Sequence, residues 1–319
     1  MRQLKLNNKE RMKKFAIGAD IGGSHISCAL IDLDRKSILL DSIETKKVDN
    51  HASADEILND WAAVLNNKIA SVDKQEIMGI GFAMPGPFDY ANGIALFERT
   101  DKFEKLYDVN VKNDLKKLLT IDTDLRFMND ATAFAVGESW GGKAVDNKKF
   151  VAITLGTGFG SAFIDSRLPV LEGNEVPEFG CVWHLPYKKG IADDYFSTRW
   201  FIKQYAEKTG KTVHGVKELG VLVATDPIAK DLFTEFGNNL GEFLGPWIQK
   251  FGAEALVIGG NQVRGYGLFG PALQLSFAKQ QIEIQIHLSE LLEDAALLGS
   301  ARLLDAPFWK QIQPLLSKM

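Results

Sequence analysis

Cysteine is scarce in this chain: only Cys28 and Cys181 occur among 319 residues, too few for a disulfide framework. Long apolar runs are missing as well. No stretch approaches the roughly 18 continuous apolar residues that would mark a membrane-spanning helix. The first 14 residues carry Arg2, Lys5, Lys9, Arg11, Lys13 and Lys14 without an apolar core, so they read as neither a signal peptide nor an anchor. There is no basic excess either. A net charge of -4 gives no electrostatic reason to expect nucleic acid or an acidic membrane surface as a partner. Low-complexity tracts and an obvious flexible linker are also lacking. These absences set the expectation of a reducing, cytoplasmic setting, with Cys28, inside an apolar strand pattern, as a small buried thiol.

What is present is an ordinary globular balance, 45% hydrophobic and 24% charged, in a chain long enough for two α/β domains. Apolar runs and helical periodicity alternate. Strands are expected at Phe15–Ala19, Ile26–Asp32, Ile38–Leu40, Ile77–Phe82 and Leu125–Met128. The spacing of Ile57, Trp61, Val64, Leu65 and Ile69 predicts a helix over Ser53–Ala70, and another follows at Ala131–Trp140. The pattern then restarts. Phe150–Leu155, a glycine turn and Ser161–Asp165 repeat the design of Phe15–Asp32, including the closing Ile-Asp. A repeat on the scale of roughly 130 residues points to two related domains, since solenoid periods are roughly 20–50 residues. The domains are placed at 1–131 and 132–319, with the last helix, about 304–319, packing back on the first. Helices are expected at Ala192–Lys208, Asp226–Phe251, Asp294–Leu304 and Pro307–Ser317, and strands at Ala255–Ile258 and Ile282–His287. Aromatic residues near Phe196–Phe201 and Phe233–Trp247 fall at helical spacing and read as core. His25 and His184 read as hydrogen-bonded structural residues.

The glycine turns carry the first chemical signal. Gly22-Gly23-Ser24 and Gly156-Thr157-Gly158-Phe159-Gly160 each join two strands. Glycine lets backbone N–H groups face a phosphate with no side chain in the way. Either turn alone could be no more than a tight hairpin; two at equivalent places in a duplicated unit suit a polyphosphate. Other phosphate motifs fail. Gly137–Lys143 has P-loop spacing, but Ala144 stands where Ser or Thr is needed. Neither turn matches a Rossmann fingerprint between strand and helix. Asp20 precedes the first turn, and a carboxylate beside phosphates calls for a cation, Mg²⁺ held through water, unless it only binds the turn's own N–H groups. Asn129-Asp130 ends a strand and starts a helix, so Asp130 is either an N-cap or a base that takes a proton from an attacking substrate hydroxyl.

Taken together, these residues resemble the ROK family of sugar kinases and repressors from Phe15 to about Leu304. Asp20–Ser24 and Leu155–Gly160 are similar to its two phosphate motifs. Gly81–Asp89 resembles its proline-rich sugar turn, and Asn129–Ala133 with Gly137-Glu138 its catalytic motif. Ile258-Gly259-Gly260-Asn261 resembles the adenosine-contacting turn, and Asp294–Ala301 the C-terminal helix. The resemblance implies a duplicated actin-like (ribonuclease H-like) ATPase fold of α/β class, two domains with an interdomain cleft. It also implies ATP and Mg²⁺, transfer to a hexose hydroxyl, and frequent homodimers. On that resemblance Asp130 is the base; Gly22, Gly23, Ser24, Gly156, Thr157, Gly158, Gly160, Gly259, Gly260 and Asn261 contact the nucleotide. Pro85, Gly86, Asn129, Asp130, Glu178 and Asp193 contact the sugar.

The departures lie on the sugar side. Glu178-Phe179-Gly180-Cys181 has Cys181 where the family has His. Two cysteines cannot supply the family's three-Cys zinc cluster, and Trp183-His184 is no ready substitute, so no zinc is expected. Asp193 stands where a longer Glu is usual, and Leu96–Thr100 lacks the family's Asn-Leu pair. Only 14 residues precede the first strand, too few for the helix-turn-helix of the repressor members. The leading expectation is a carbohydrate kinase. A nucleotide-dependent sugar sensor with little turnover, or an actin-like ATPase with a non-sugar acceptor, are the alternatives.

Overall fold

The computed structural model describes residues 14–100 and 102–319. Arg2, Lys5, Lys9, Arg11 and Lys13, read above as part of neither a signal nor an anchor, lie outside the described residues. The chain divides into two compact units, Met1–Asn129 with Ser300–Ser317, and Asp130–Gly299 with Lys318–Met319. The crossing between Asn129 and Asp130 falls just ahead of the boundary read from the sequence.

In the first unit, β1 (Phe15–Gly22) and β2 (His25–Asp32) form an antiparallel hairpin. Short strands β3 (Ser37–Ile38) and β4 (Glu44–Lys47) pair with the outer side of β2. Helix α1 (Ala54–Ala70) starts at a capping box in which the Ser53 hydroxyl accepts from Glu56 N–H and the Glu56 carboxylate accepts from Ser53 N–H. It buries Ile57, Leu58, Trp61, Val64, Leu65 and Ile69, the one-sided stripe that its periodicity predicts. This helix carries the chain across to β5 (Ile77–Met84), which pairs parallel with β1. A small hairpin of β6 (Phe88–Asp89) and β7 (Ile94–Ala95), then helix α2 (Val111–Leu118), lead to β8 (Asp124–Asn129), parallel to β5. The sheet order is β3-β2-β1-β5-β8. Phe82 and Phe127 stack across β5 and β8 at 4.8 Å.

The second unit repeats this topology. Helix α3 (Asp130–Gly141) precedes the hairpin of β9 (Lys149–Leu155) and β10 (Phe159–Asp165), and β11 (Leu168–Pro169) pairs with the outer side of β10. A small ribbon, β12 (Pro186–Tyr187) and β13 (Gly190–Ile191), is followed by α4 (Ala192–Tyr195), α5 (Thr198–Thr209), α6 (Val216–Leu222) and α7 (Pro227–Phe251). Then come β14 (Ala255–Gly259), α8 (Tyr266–Lys279), β15 (Gln285–Leu288) and α9 (Asp294–Arg302). The order β11-β10-β9-β14-β15, with β14 parallel to both β9 and β15, matches the path β3-β2-β1-β5-β8 of the first sheet, in which β4 has no counterpart. The duplication legible in two hairpins therefore extends through whole sheets. The last helix, α10 (Ala306–Ile312), belongs to the first unit. There Arg126 on β8 donates to the Leu303 carbonyl at 2.7 Å and lies 4.1 Å from the Trp309 ring.

Several elements differ from the sequence reading. The expected helix Ala192–Lys208 is two helices, because Ser197 is extended (φ -121°, ψ 165°) and caps the second. Helix α8 went unread: Gly267, Gly270 and Pro271 punctuate it like a loop. It forms because tertiary packing overrides propensity. Along α7, Gly237 and Gly241 lie one turn apart on one face. A Cβ on Gly237 would collide with the Phe269 carbonyl oxygen, and one on Gly241 would come within 2.5 Å of the Ser276 Cβ. Missing side chains thus let the α8 backbone approach directly. The aromatic residues at helical spacing are core, with Phe196, Trp200, Phe201, Phe233, Phe236 and Phe243 all buried in one cluster.

Two glycine-to-alanine changes at this helix pair should shift stability in opposite directions. Gly237→Ala forces the helices apart and should lower the melting temperature by roughly 5 °C or more, the range expected of overpacking. At Gly267, inside α8, an added Cβ meets nothing within 4 Å, and Ala has the higher helix propensity. Gly267→Ala should leave the melting temperature unchanged or raise it. Calorimetry on the two variants checks both signs.

Candidate functional site

In an α/β sheet, loops that leave the carboxyl ends of parallel strands converge at one end. In the first unit β1, β5 and β8 are parallel, and their carboxyl ends carry Asp20–Gly22, Met84–Gly86 and Asn129. The register sets Asp20 beside Ala83 and Met84 beside Asn129, with neighbouring strands about 4.8 Å apart. The Tyr90 hydroxyl donates to the Met84 carbonyl at 3.2 Å and accepts from Asn129 Nδ2 at 3.3 Å. The Pro85-Gly86 turn, whose Gly86–Pro87 peptide is cis, is thereby tied to Asn129. Three of the segments singled out from the sequence therefore stand at one end of one sheet.

The first glycine hairpin turns through Gly23 and Ser24. The Ser24 carbonyl accepts from Val48 N–H at 2.9 Å, the Gly23 carbonyl accepts from the Asn50 amide, and the Asn50 carbonyl accepts from Phe103 N–H at 3.0 Å. His25 lies under Gly22, where a Cβ would stand 2.6 Å from the imidazole Cε1. The Lys102 stem crosses Gly23, with Cδ, Cε and Nζ each 3.0 Å from the position a Cβ would take. Sequence reasoning missed Lys102, which sits about 80 residues along the chain from the turn and has no local pattern to mark it.

In the second unit the same end of the sheet carries Gly156–Gly160, after β9, and Gly259-Gly260-Asn261, after β14. Gly260 adopts φ 80° and packs on Leu155, which brings the two turns together. The glycine hairpin is held at several points. Gly156 N–H donates to the Gly158 carbonyl at 3.1 Å. Phe159 N–H donates to Asp193 Oδ1 at 2.7 Å, and Asp193 Oδ2 pairs with Arg199. The Gly156 carbonyl accepts from Thr198 N–H at 2.9 Å, Thr198 Oγ1 at 2.9 Å and Gln262 Nε2 at 3.0 Å. The N–H groups of Thr157 and Gly158 have no acceptor among the described residues, and both residues are exposed. Two successive outward N–H groups form a concavity suited to an anion.

The remaining predicted residues are distributed as follows. Asp130 opens α3, and its Oδ1 accepts from Ala131 N–H at 2.8 Å. Asp20, half-buried, lies in β1 two residues before the strand ends at Gly22. Glu138 of the motif Gly137-Glu138 is fully buried, where it accepts from Ser289 Oγ and from Lys143 N–H at 2.8 Å, so its part is structural. Asp193, expected at the sugar, accepts from Phe159 N–H of the glycine hairpin through Oδ1 and pairs with Arg199 through Oδ2. Glu178 is exposed on a 3₁₀ turn (Glu178–Gly180) that packs on β10. A hollow of about 560 Å³ lined by Tyr205, Lys211, Glu218 and Asp226 contains none of the predicted residues.

The donor set does not fit the family's zinc. Cys181 Sγ lies 3.7 Å from His184 Nδ1, two candidate ligands where structural zinc takes four. Among the described residues no group of three His, Cys, Asp or Glu is arranged to hold a metal. No helix there is long and apolar enough to cross a membrane.

The sheet pair defines a class: the fold is the duplicated actin-like (ribonuclease H-like) ATPase fold. A ROK family model matches residues 16–306, and the chain belongs to that family. It is 32% identical over 149 residues to a glucokinase of Thermotoga maritima, an alignment spanning 46% of this chain but only 44% of that relative's length. It is 22% identical over 269 residues to an N-acetyl-D-glucosamine kinase of Haemophilus influenzae, covering 76% of this chain and 83% of the relative. Among solved structures it is similar to a ROK family glucokinase from Streptomyces griseus in complex with glucose and AMPPNP. That match has a TM-score of 0.72 and 23% identity, with 91% and 98% of the two chains covered; it shows the fold.

Thiol chemistry follows from the burial of both cysteines. Burial pushes Cys28 up to about 12 and Cys181 up to about 11, so neither is a thiolate near neutral pH. At pH 7.5, iodoacetamide should modify Cys181 roughly tenfold or more slower than free cysteine, and Cys28 only after unfolding. An unfolded chain ionises near the ordinary thiol value and so holds fewer protons than the folded one at alkaline pH. Stability should therefore fall as pH rises above about 9, the ordinary thiol value. Mass spectrometry and alkaline denaturation measure the two effects.

Proposed function

We infer that this chain is an ATP-dependent carbohydrate kinase that transfers the γ-phosphate to a hydroxyl of a hexose or related sugar. The observation that carries the reading is the placement of the motifs. Each unit ends its first strand in a glycine hairpin at the carboxyl end of its parallel strands, and Asn129-Asp130 leaves β8 at that end of the first sheet. Outward N–H groups at Thr157 and Gly158 suit phosphate oxygens, and the turn Gly259–Asn261 beside them suits the nucleoside.

The chemistry follows from these placements. A sugar hydroxyl held by Asn129 and the Pro85-Gly86 turn passes its proton to the Asp130 carboxylate. Its oxygen bonds to the γ-phosphorus as the bond to the β-phosphate oxygen breaks, and ADP leaves. Most of the acceleration in such transfers comes from alignment and charge neutralisation. Mg²⁺ supplies part of that neutralisation, and the single hard carboxylate of Asp20 beside a glycine hairpin suits a cation that keeps its waters. Gly22, Gly23, Ser24 and Gly160 complete the nucleotide side, and Glu178 remains a candidate on the sugar side. Asp193, a further sugar candidate by its place in the motif, also shapes the second hairpin. The protein needs no zinc, and its two free thiols, one buried and one half-buried, suit a reducing cytoplasm. The relatives' names include glucokinase and N-acetyl-D-glucosamine kinase, so glucose and N-acetylhexosamines head the candidates. The engagement of Asp193 favours one second reading, a nucleotide-dependent sugar sensor with little turnover.

Coupled ADP release over a panel of hexoses and N-acetylhexosamines separates the readings. Sugar-dependent turnover is the expected result; binding without turnover would indicate the sensor, and sugar-independent hydrolysis an ATPase of another kind. Asp130→Asn should retain ATP binding yet lower turnover about 100-fold or more, the range of general acid–base groups. At Gly156 an added Cβ meets nothing in the protein. Gly156→Ala should therefore keep its melting temperature while raising the KM for ATP about tenfold, by standing where phosphate approaches.

A further inference from the structure

We propose that Gln262, acting with Thr198, is a positioning residue that locks the Gly156–Thr157 peptide so that Thr157 N–H is presented to a nucleotide phosphate. The proposal rests on the reading of the second hairpin as a phosphate site.

A carbonyl oxygen has two lone pairs, and Thr198 already supplies two donors to Gly156, its N–H and its hydroxyl, each at 2.9 Å. Gln262 Nε2 is a third, at 3.0 Å, and it also donates to Thr198 Oγ1 at 3.1 Å. The third donor is not needed to satisfy the backbone. It orients the Thr198 hydroxyl proton toward Gly156 and fixes the peptide plane from a second direction. In a trans peptide the C=O and the following N–H point opposite ways. Pinning the Gly156 carbonyl inward therefore turns Thr157 N–H outward, where no acceptor lies among the described residues. Donors on the carbonyl also polarise that same peptide and strengthen its N–H as a donor.

Gln262 is only 4% exposed, and its Oε1 is buried without a hydrogen-bond partner. Flipping the amide would set that oxygen against the Gly156 carbonyl oxygen, so the donor must face Gly156. A buried side chain with an orphaned acceptor detracts from stability, so its contribution lies in the donor. Gln262 directly follows the turn Gly259–Asn261, which couples the nucleoside side of the site to the phosphate hairpin.

Gln262→Met keeps the length of the side chain, removes the donor and breaks no acceptor bond. Its melting temperature should hold or rise, while KM for ATP increases about fivefold or more, the weight of one hydrogen bond, and KM for the sugar stays within about twofold. Thr198→Val should weaken ATP likewise, and Thr198→Ser, which restores the hydroxyl, should recover most of the loss. An unchanged KM for ATP in both Gln262→Met and Thr198→Val overturns the proposal, as does an equal rise in the two substrates' KM values. Should Gln262→Met not fold, the Val and Ser pair decides alone. Gly156→Ala, run alongside, separates the two levels. If it weakens ATP while the clamp variants do not, only the clamp is wrong; if it too binds ATP normally, the phosphate reading of the hairpin fails.

Discussion

Parallel pairing of the first strand of each unit with the strand that follows its crossover is the constraint on which the site depends. A hairpin alone would leave each glycine turn isolated at a sheet edge. Because β1 is parallel to β5 and β5 to β8, the turn after β1, the proline turn and Asn129 must emerge at the same end. Because β9 is parallel to β14, the second glycine hairpin and the turn Gly259–Asn261 must do likewise. Helices supply the crossovers that make this pairing possible, and their buried stripes, such as that of α1, hold the sheets in place.

Both glycine hairpins offer backbone donors, and the surrounding structure restrains each of them. Asn50 and Val48 hold the first hairpin through the carbonyls of Gly23 and Ser24. Asp193, Thr198 and Gln262 hold the second. Arg199 pairs with Asp193 beside the second hairpin. The segment Glu178–His184 holds one cysteine, too few thiolates for structural zinc. It is held instead by ordinary contacts, among them Val182 N–H donating to Ser161 Oγ at 2.8 Å.

Much of this was legible in the chain. The two hairpins, the helix with its Ser53/Glu56 cap, and the strand ends bearing Asp20 and Asn129-Asp130 all have local signals: period-2 and period-3.6 patterns, glycine, and capping residues. Helix α8 was not legible, since its glycines and proline speak against a helix and only its close seating on Gly237 and Gly241 of α7 makes one. The break at Ser197 was equally hidden, because apolar spacing continues through it. Asp193 illustrates a different limit. Its position by motif suggests a sugar contact, and only the folded chain shows that its Oδ1 also accepts from Phe159 N–H in the glycine hairpin.

By itself the sequence determined the duplicated α/β plan, the family, and the turns that offer backbone donors, because each is written in short-range spacing or in residues adjacent in the chain. The tertiary structure alone decided which distant side chains hold those turns. Lys102 at Gly23, and Thr198 and Gln262 at Gly156, come from segments scores of residues away. Hydrogen bonds between such segments leave no periodicity behind; they exist only once the sheets have set the partners within reach.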